Sequence, residues 1–350
     1  MGVLGLKVEK RFNPPSTFIK ILVPVLATLI SFALFLILLS LGGVNLGDSF
    51  SSLLRTFGSK TGITEIFVRA TSLLIVGLAI TIAFRGKVFN IGAEGQMIMG
   101  AIIATWIGLT IPEAPAVLLV IFILVSSFLI GSLWGGIAGV LKAKLGINEV
   151  IVTIMMNWVA IYFLEYVIIG PLSVGGMLHQ SPPLSSSAWL PVLIPGTRLH
   201  FGFLIALFLT YSVLILIFKT SLGYHIRTIG ANPVAARYAG VSPAKIIVIV
   251  MVMSGGLASI AGATEVIGTH HILLPGISAG YGYFGIAVAL LGRLHPIGVL
   301  TAAVGIGALI VAVQSMLGTL PILLQWVIIG SMILFLMVCD TLTQYRIRGT

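Results

Sequence analysis

Ten apolar runs divide this chain, at 18–41, 64–84, 97–111, 115–141, 148–169, 201–218, 246–267, 283–292, 297–318 and 321–339. Eight of them hold 18 to 27 residues, against about 20 for a helix that crosses a bilayer. In hydrocarbon every backbone polar group needs an internal partner, so only helices and closed barrels span. Barrel strands alternate apolar and polar residues, and these runs are continuous. Composition removes the soluble alternative. With 8% charged residues and a mean hydropathy of +1.18 over 350 residues, too few charges exist to cover a water-facing surface. The expected fold class is all-α: a polytopic membrane protein of about ten transmembrane helices, forming one domain over 1–350.

The run from Phe18 to Leu41 is too long for a signal-peptide core and reads as a retained first span. Cys339 is the one cysteine, which excludes a disulfide within the chain and a cysteine metal cage. The net charge of +10 does not point to nucleic acid, because the basic residues stand singly between apolar runs. Their distribution sets the orientation instead. With the N-terminus inside, the cytoplasmic side receives 15 Lys and Arg and the outside receives four, Arg55, Lys60, Arg69 and Arg198. Cytoplasmic loops carry such an excess. Residues 1–17 are then a cytoplasmic tail, 170–200 an external loop and 219–245 a cytoplasmic segment, with both termini in the cytoplasm.

Ten spans divide into five plus five. Five is odd, so the second half enters from the opposite face, as in an inverted repeat. Gly77-Leu78-Ala79 in the second span recurs as Gly256-Leu257-Ala258 in the seventh, and each precedes a Gly-rich break and a short span. The third span, Met97 to Ile111, covers only about 22 Å of a core about 30 Å thick. The segment before it, 89–96, is therefore expected to dip into the membrane. The eighth span is shorter still, and 274–282 is expected to dip from the other side. Two broken helices, one in each half, mark a path near the midplane.

The candidate path residues are Phe89, Asn90, Glu94, Gln96, Asn157, Tyr281 and Tyr283. Glu94 sits near the start of a half-helix, where the dipole favours a carboxylate. Asn90, Glu94 and Gln96 either line the path or cap the broken backbone. Asn157, in mid-span, needs a partner or a cavity. Asn148-Glu149 has the pattern of a helix cap. Glu165 and Glu265 lie near the outer ends of their spans, within reach of water. His270 and His271 are adjacent, point apart and have no third ligand nearby, so no metal site is expected. Amides suit sugar hydroxyls and base edges, and ring faces suit a planar base. With no deep cluster of basic groups, the cargo is expected to be neutral.

The segment 219–245 is more than a connection. Asn232 is a good N-cap, Pro233 suits the first helical position and Gly240 is a good stop. They bracket a helix of about seven residues, too short to stand alone in water, so it is expected to dock on something. The stretch Gly230 to Gly240, with Asn232, Pro233, Ala235, Ala236 and Arg237, resembles the ATPase-coupling loop of bacterial ABC-importer permeases. Phe89-Asn90-Ile91-Gly92-Ala93-Glu94-Gly95-Gln96, followed by Met97 to Ala101, is similar to the signature of the permease family for simple sugars, nucleosides and branched-chain amino acids. With Asn148 to Asn157, it most resembles the nucleoside branch, which works with a binding lipoprotein of the basic-membrane-protein type. Ribose-type permeases carry an Asp-Leu-Ser-Val-Gly string that this chain lacks.

The resemblance covers roughly 65–340. It implies two permease chains, taken as a heterodimer, two cytoplasmic ATPases and an external binding lipoprotein in a bacterial inner membrane. The outer segment 170–200 either receives that lipoprotein or is a plain loop. No Gly-x-x-x-x-Gly-Lys-Ser/Thr loop is present, so Mg-ATP is expected on the partner ATPase and no cofactor on this chain. An ion-coupled transporter would need ionisable groups at the midplane and has no use for a docking helix. An intramembrane enzyme would need a His-Glu-x-x-His or a paired-aspartate motif, and neither occurs.

Overall fold

The computed structural model describes residues 6–10, 46–316, 330, 331, 334 and 345–349. The first apolar run, most of the last, Trp326 and Cys339 lie outside these residues. The chain forms two compact units, one of residues 1–59 with 309–350 and one of Lys60–Ala308.

In the first unit, β1 (Leu6–Lys10) pairs antiparallel with β2 (Tyr345–Gly349), Val8 opposite Ile347. This pair is a small departure from the all-α expectation. Helix α1 (Leu46–Gly58) was not legible as a span because it is amphipathic rather than apolar. It is tied down by Ser49 Oγ donating to Met316 O (3.2 Å) and Ser52 Oγ to Ser315 O (2.9 Å).

The second unit carries α2 (Lys60–Arg85), α3 (Ala93–Thr110), α4 (Ala116–Leu145), α5 (Glu149–Ile169), α6 (Gly202–Lys219), α7 (Ser221–Ala231), α8 (Pro233–Tyr238), α9 (Pro243–Thr264) and α10 (Tyr281–Leu291). It also holds most of α11 (Pro296–Met316). Among the described residues six helices are long and apolar enough to cross a membrane: α2, α4, α5, α6, α9 with its extension to His270, and α11. Local chemistry sets their ends. Helix α4 stops at Gly146, in the left-handed region at φ 67, which only glycine adopts freely. Helix α5 starts where the Asn148 side chain accepts the Val150 N–H at 2.9 Å, and α9 starts on Pro243.

Several boundaries shift by two to four residues, among them the eighth span, which begins at Tyr281 inside the expected 274–282 dip, and two differences bear on the site. The third span begins at Ala93 rather than Met97, so Glu94, Gly95 and Gln96 are helical and the irregular stretch shrinks to about 86–92. Polar side chains in a first helical turn lower hydropathy without breaking the helix. The seventh span continues from α9 into a π-helical turn, Glu265–His270, for which the sequence carries no signal.

Helix α2 is apolar all round and buried almost throughout, as a central helix must be. It packs on α10, while α9 packs across α3 and α4. The α4–α9 crossing is close because small residues recur on α4 at every fourth position, Ser127, Gly131, Gly135 and Gly139, all buried. A Cβ on Gly131 would strike Ser259 and the Gly255 carbonyl, and one on Gly135 would stand 2.5 Å from Met251 O. Backbones approach like this in membranes only where side chains are missing.

Residues expected on the inner side gather at one end. Arg85 Nε donates to Leu294 O (2.7 Å), Phe89 N–H to Glu149 Oε1 (3.2 Å), and Lys142 pairs with Glu149. Residues expected outside meet at the other end. Lys60 Nζ reaches Pro195 O (3.2 Å), Arg198 reaches Glu65 (3.4 Å), and Ser181 N–H donates to Leu273 O (2.9 Å).

Candidate functional site at the meeting of two broken helices

The first break, 86–92, is held by side-chain amides. Asn90 Oδ1 accepts the Gly92 N–H (2.9 Å), and Asn90 Nδ2 donates to Gln96 Oε1 (2.9 Å) and Ser254 Oγ (2.8 Å). Asn157, from α5, closes the break from the side. Its Oδ1 accepts the Gly95 N–H (2.9 Å) and its Nδ2 donates to Ile91 O (2.9 Å) and the Tyr283 hydroxyl (3.2 Å). All three amides are buried. Unpaired buried amides would be costly, and here the broken backbone, the Ser254 and Tyr283 hydroxyls and the amides of Asn90 and Gln96 themselves supply the partners.

Glu94 joins the two breaks. It lies in the first turn of α3 and aims at the N-terminus of α10, where Gly282 N–H donates to Oε2 at 2.9 Å and the Ser278 hydroxyl donates to Oε1. The carboxylate therefore sits where two helix dipoles present their positive ends. Gly282 is required by this approach, since a Cβ there would stand 2.6 Å from Glu94 Oε2.

The structure brings Asn90, Glu94, Gln96, Asn157 and Tyr283 into one connected cluster. Phe89 lies beside it, half-exposed and edge-on to Phe84 at 5.2 Å. Tyr281 does not present an open ring. It is buried, and its hydroxyl accepts from Arg69 Nη1 at 3.0 Å, while Arg69 also pairs with Glu65 at 3.0 Å. Of the two tyrosines, Tyr283 is the exposed one. Glu265 does not reach water as its position suggested. It is buried, takes the Ser72 hydroxyl and lies 3.6 Å from His270 Nε2. The Arg69 cluster escaped sequence reading because Arg69 was counted as an outer-loop charge. Ser254 and Ser278 escaped because serine in a Gly-rich run reads as packing.

The histidines part as expected, His270 toward Glu265 and His271 onto Trp189 at 4.0 Å. Among the described residues no group of three His, Cys, Asp or Glu could hold a metal. A cleft of about 360 Å³ lies among α3, α4, α5 and the residues just after α5, lined by Met99, Ile102, Trp106, Ile130 and Phe163. With aliphatic and aromatic walls it offers little to sugar hydroxyls.

The short helix α8 forms where it was expected. Asn232 Oδ1 accepts the Val234 N–H (2.9 Å) and the Ala235 N–H (3.1 Å), Pro233 opens the helix, and Gly240 ends the turn at φ 81. Ala236 is buried within the chain's own body, so the side left open is that of Val234 and Tyr238, 64% and 89% exposed. Ala235 and Arg237 are exposed as well. Gly230 lies at a close crossing, where a Cβ would collide with Arg85 O.

The family model described as branched-chain amino acid transport system / permease component matches residues 62–337. The guanosine ABC transporter permease protein NupP of Bacillus subtilis is 36% identical over 302 residues, 85% of this chain and 86% of its own length. The nucleoside ABC transporter permease protein NupB of Lactococcus lactis is 32% identical, over 81% of each chain. The glucose ABC transporter permease protein TsgB13 of Haloferax volcanii is 33% identical, over 84% of this chain and 80% of its own length. No solved structure matches the chain.

Proposed function

This chain belongs to the family of branched-chain amino acid transport system permease components, and from that membership we propose that it moves nucleosides across the bacterial cytoplasmic membrane as one subunit of an ATP-driven importer. It is a transport subunit, and ATP is hydrolysed by separate subunits that bind Mg-ATP. The likeness to guanosine and nucleoside permeases carries the choice of cargo. The lack of deep basic clusters among the described residues supports a neutral solute over a phosphorylated one.

Helix α8 is the contact for the ATPase. In support, its open residues Val234, Ala235, Arg237 and Tyr238 stand beside a rigid cap at Asn232 and a sharp stop at Gly240. Gly230 and Ala236 act from behind by seating α7 and α8. A second, non-identical permease chain and an external binding lipoprotein complete the machine, the latter on the 170–200 segment. Both termini face the cytoplasm.

The five-plus-five inverted repeat is supported by the way the halves exchange partners. Gly256 on α9 faces Phe128 and Ser132 of α4, while Gly77 on α2 faces Val288 of α10 and Val299 of α11. The path runs past the cluster of Phe89, Asn90, Glu94, Gln96, Asn157 and Tyr283, with Tyr281 bracing it from within. A second reading, simple-sugar import, rests on the likeness to a glucose permease. Uptake of labelled guanosine, adenosine, cytidine, glucose and ribose by the reconstituted complex decides between them. Nucleoside uptake dependent on ATP is expected. Glucose or ribose uptake without nucleoside uptake would overturn the assignment.

A further inference from the structure

Two spanning helices of this chain expose unlike faces. The open side of α4 is aliphatic apart from one phenylalanine, with Leu118, Ile121, Phe122, Val125, Leu129, Leu133, Ile137 and Val140 exposed along its length. That is a face for lipid tails. The open side of α5 mixes the aliphatic Ile151, Val159 and Ile169 with Met155, Trp158, Tyr162, Glu165 and Tyr166, and Met155, Trp158, Tyr162 and Tyr166 recur at spacings of three and four residues along one side of the helix. Trp158, Tyr162 and Tyr166 are 51%, 62% and 66% exposed. Trp158 and Tyr162 stack with ring centroids 6.1 Å apart and planes 28° apart, and Phe163 and Tyr166 do so at 6.4 Å and 24°.

Depth separates this stripe from an aromatic belt. Trp158 lies nine residues into α5, about 14 Å along a core about 30 Å thick. Belts of Trp and Tyr sit at the two interfaces, and Trp158 is near the middle. Glu165, about 24 Å along, is exposed and still inside the helix end. A carboxylate on a spanning segment faces water or protein rather than lipid. In sequence the stripe begins beside the site already described. Asn157, next to Trp158, donates to the hydroxyl of the exposed Tyr283. Trp158, Tyr162 and Tyr166 thus give a run of open rings from the middle of α5 toward its C-terminal end.

We infer that this face of α5 lines a water-filled path and is a stacking surface for the planar base of the cargo, with Trp158 and Tyr162 as its contacts and Glu165 as an acceptor for ring or ribose donors near the entrance. Successive faces of similar aromatic character hold a base weakly at each level, and a solute that must leave again needs weak, repeated contacts. The inference rests on nucleoside as the cargo.

The test uses the full complex with its ATPase, second permease and binding protein in vesicles, with Cys339→Ser as background. Trp158→Cys and Tyr162→Cys are treated with a charged, water-soluble thiol reagent on both sides during ATP turnover, beside Leu129→Cys and Leu133→Cys on α4. The α5 positions should react at least about tenfold faster than the α4 positions, because hydrocarbon excludes a charged reagent, and saturating guanosine should slow them. Trp158→Leu should lower uptake severalfold, and Trp158→Phe should restore most of it. Equal reactivity at all four positions would make the stripe a lipid or subunit contact and overturn the inference. So would reaction without protection by guanosine, or equal uptake by the Leu and Phe variants. Nucleoside uptake by the unmodified complex is measured in parallel. If it is absent, the proposed cargo fails and base stacking fails with it. If it is present and the stripe is inert, only this inference fails.

Discussion

Glu94, like Asn157, touches both broken helices. Its own backbone is in α3, and its carboxylate takes the Ser278 hydroxyl and the Gly282 N–H. Glu94→Ala leaves both donors buried without a partner, at roughly 2–6 kcal/mol for the two. Glu94→Gln keeps an acceptor oxygen and should cost about half as much. The expected order of thermal stability in the purified complex is wild type, then Gln, then Ala. An Ala variant as stable as wild type would show that the junction does not depend on this carboxylate. At this scale the sequence is informative where a polar residue interrupts an apolar run, which is how Asn90, Glu94, Gln96 and Asn157 stand out. It does not say what such a residue touches. The amides of Asn90 and Gln96 turn to each other, and Tyr281 turns to Arg69, because a broken backbone and a buried cation need partners before any cargo arrives.

Helices were readable from apolar run length, and their ends from caps. Asn148, Asn232, Pro233 and Gly240 act as their chemistry suggests. What could not be read is which faces meet, since a helix that is apolar all round has no preferred side. The four-residue recurrence of Ser127, Gly131, Gly135 and Gly139 was a usable signal for the α4–α9 crossing. Gly131→Val adds a branched side chain where a Cβ alone would already strike the Gly255 carbonyl and Ser259, and overpacking of this kind costs about 1–3 kcal/mol. Less folded chain and a lower melting temperature are expected, whereas Leu129→Val, on the exposed side of the same helix, should change little. Equal behaviour of the two variants in a detergent melting assay would argue against the close crossing.

For the whole molecule, the proposed orientation rests on the charge count. A cysteine at Ser186, on the exposed 170–200 segment, should be labelled from outside intact cells, and one at Thr228 should be spared. The reverse pattern would invert the topology and the direction of transport with it. The exchange of partners between halves has a consequence for synthesis. Helix α4 ends at Leu145 and its partner α9 at Thr264, so 119 residues separate the two helix ends. At about 5–20 residues per second, translation takes roughly 6–24 s to cover that distance. During that interval the glycine face of α4 waits in the membrane without its mate, and a ribosome stalled anywhere between would leave a half-built chain for quality control to find.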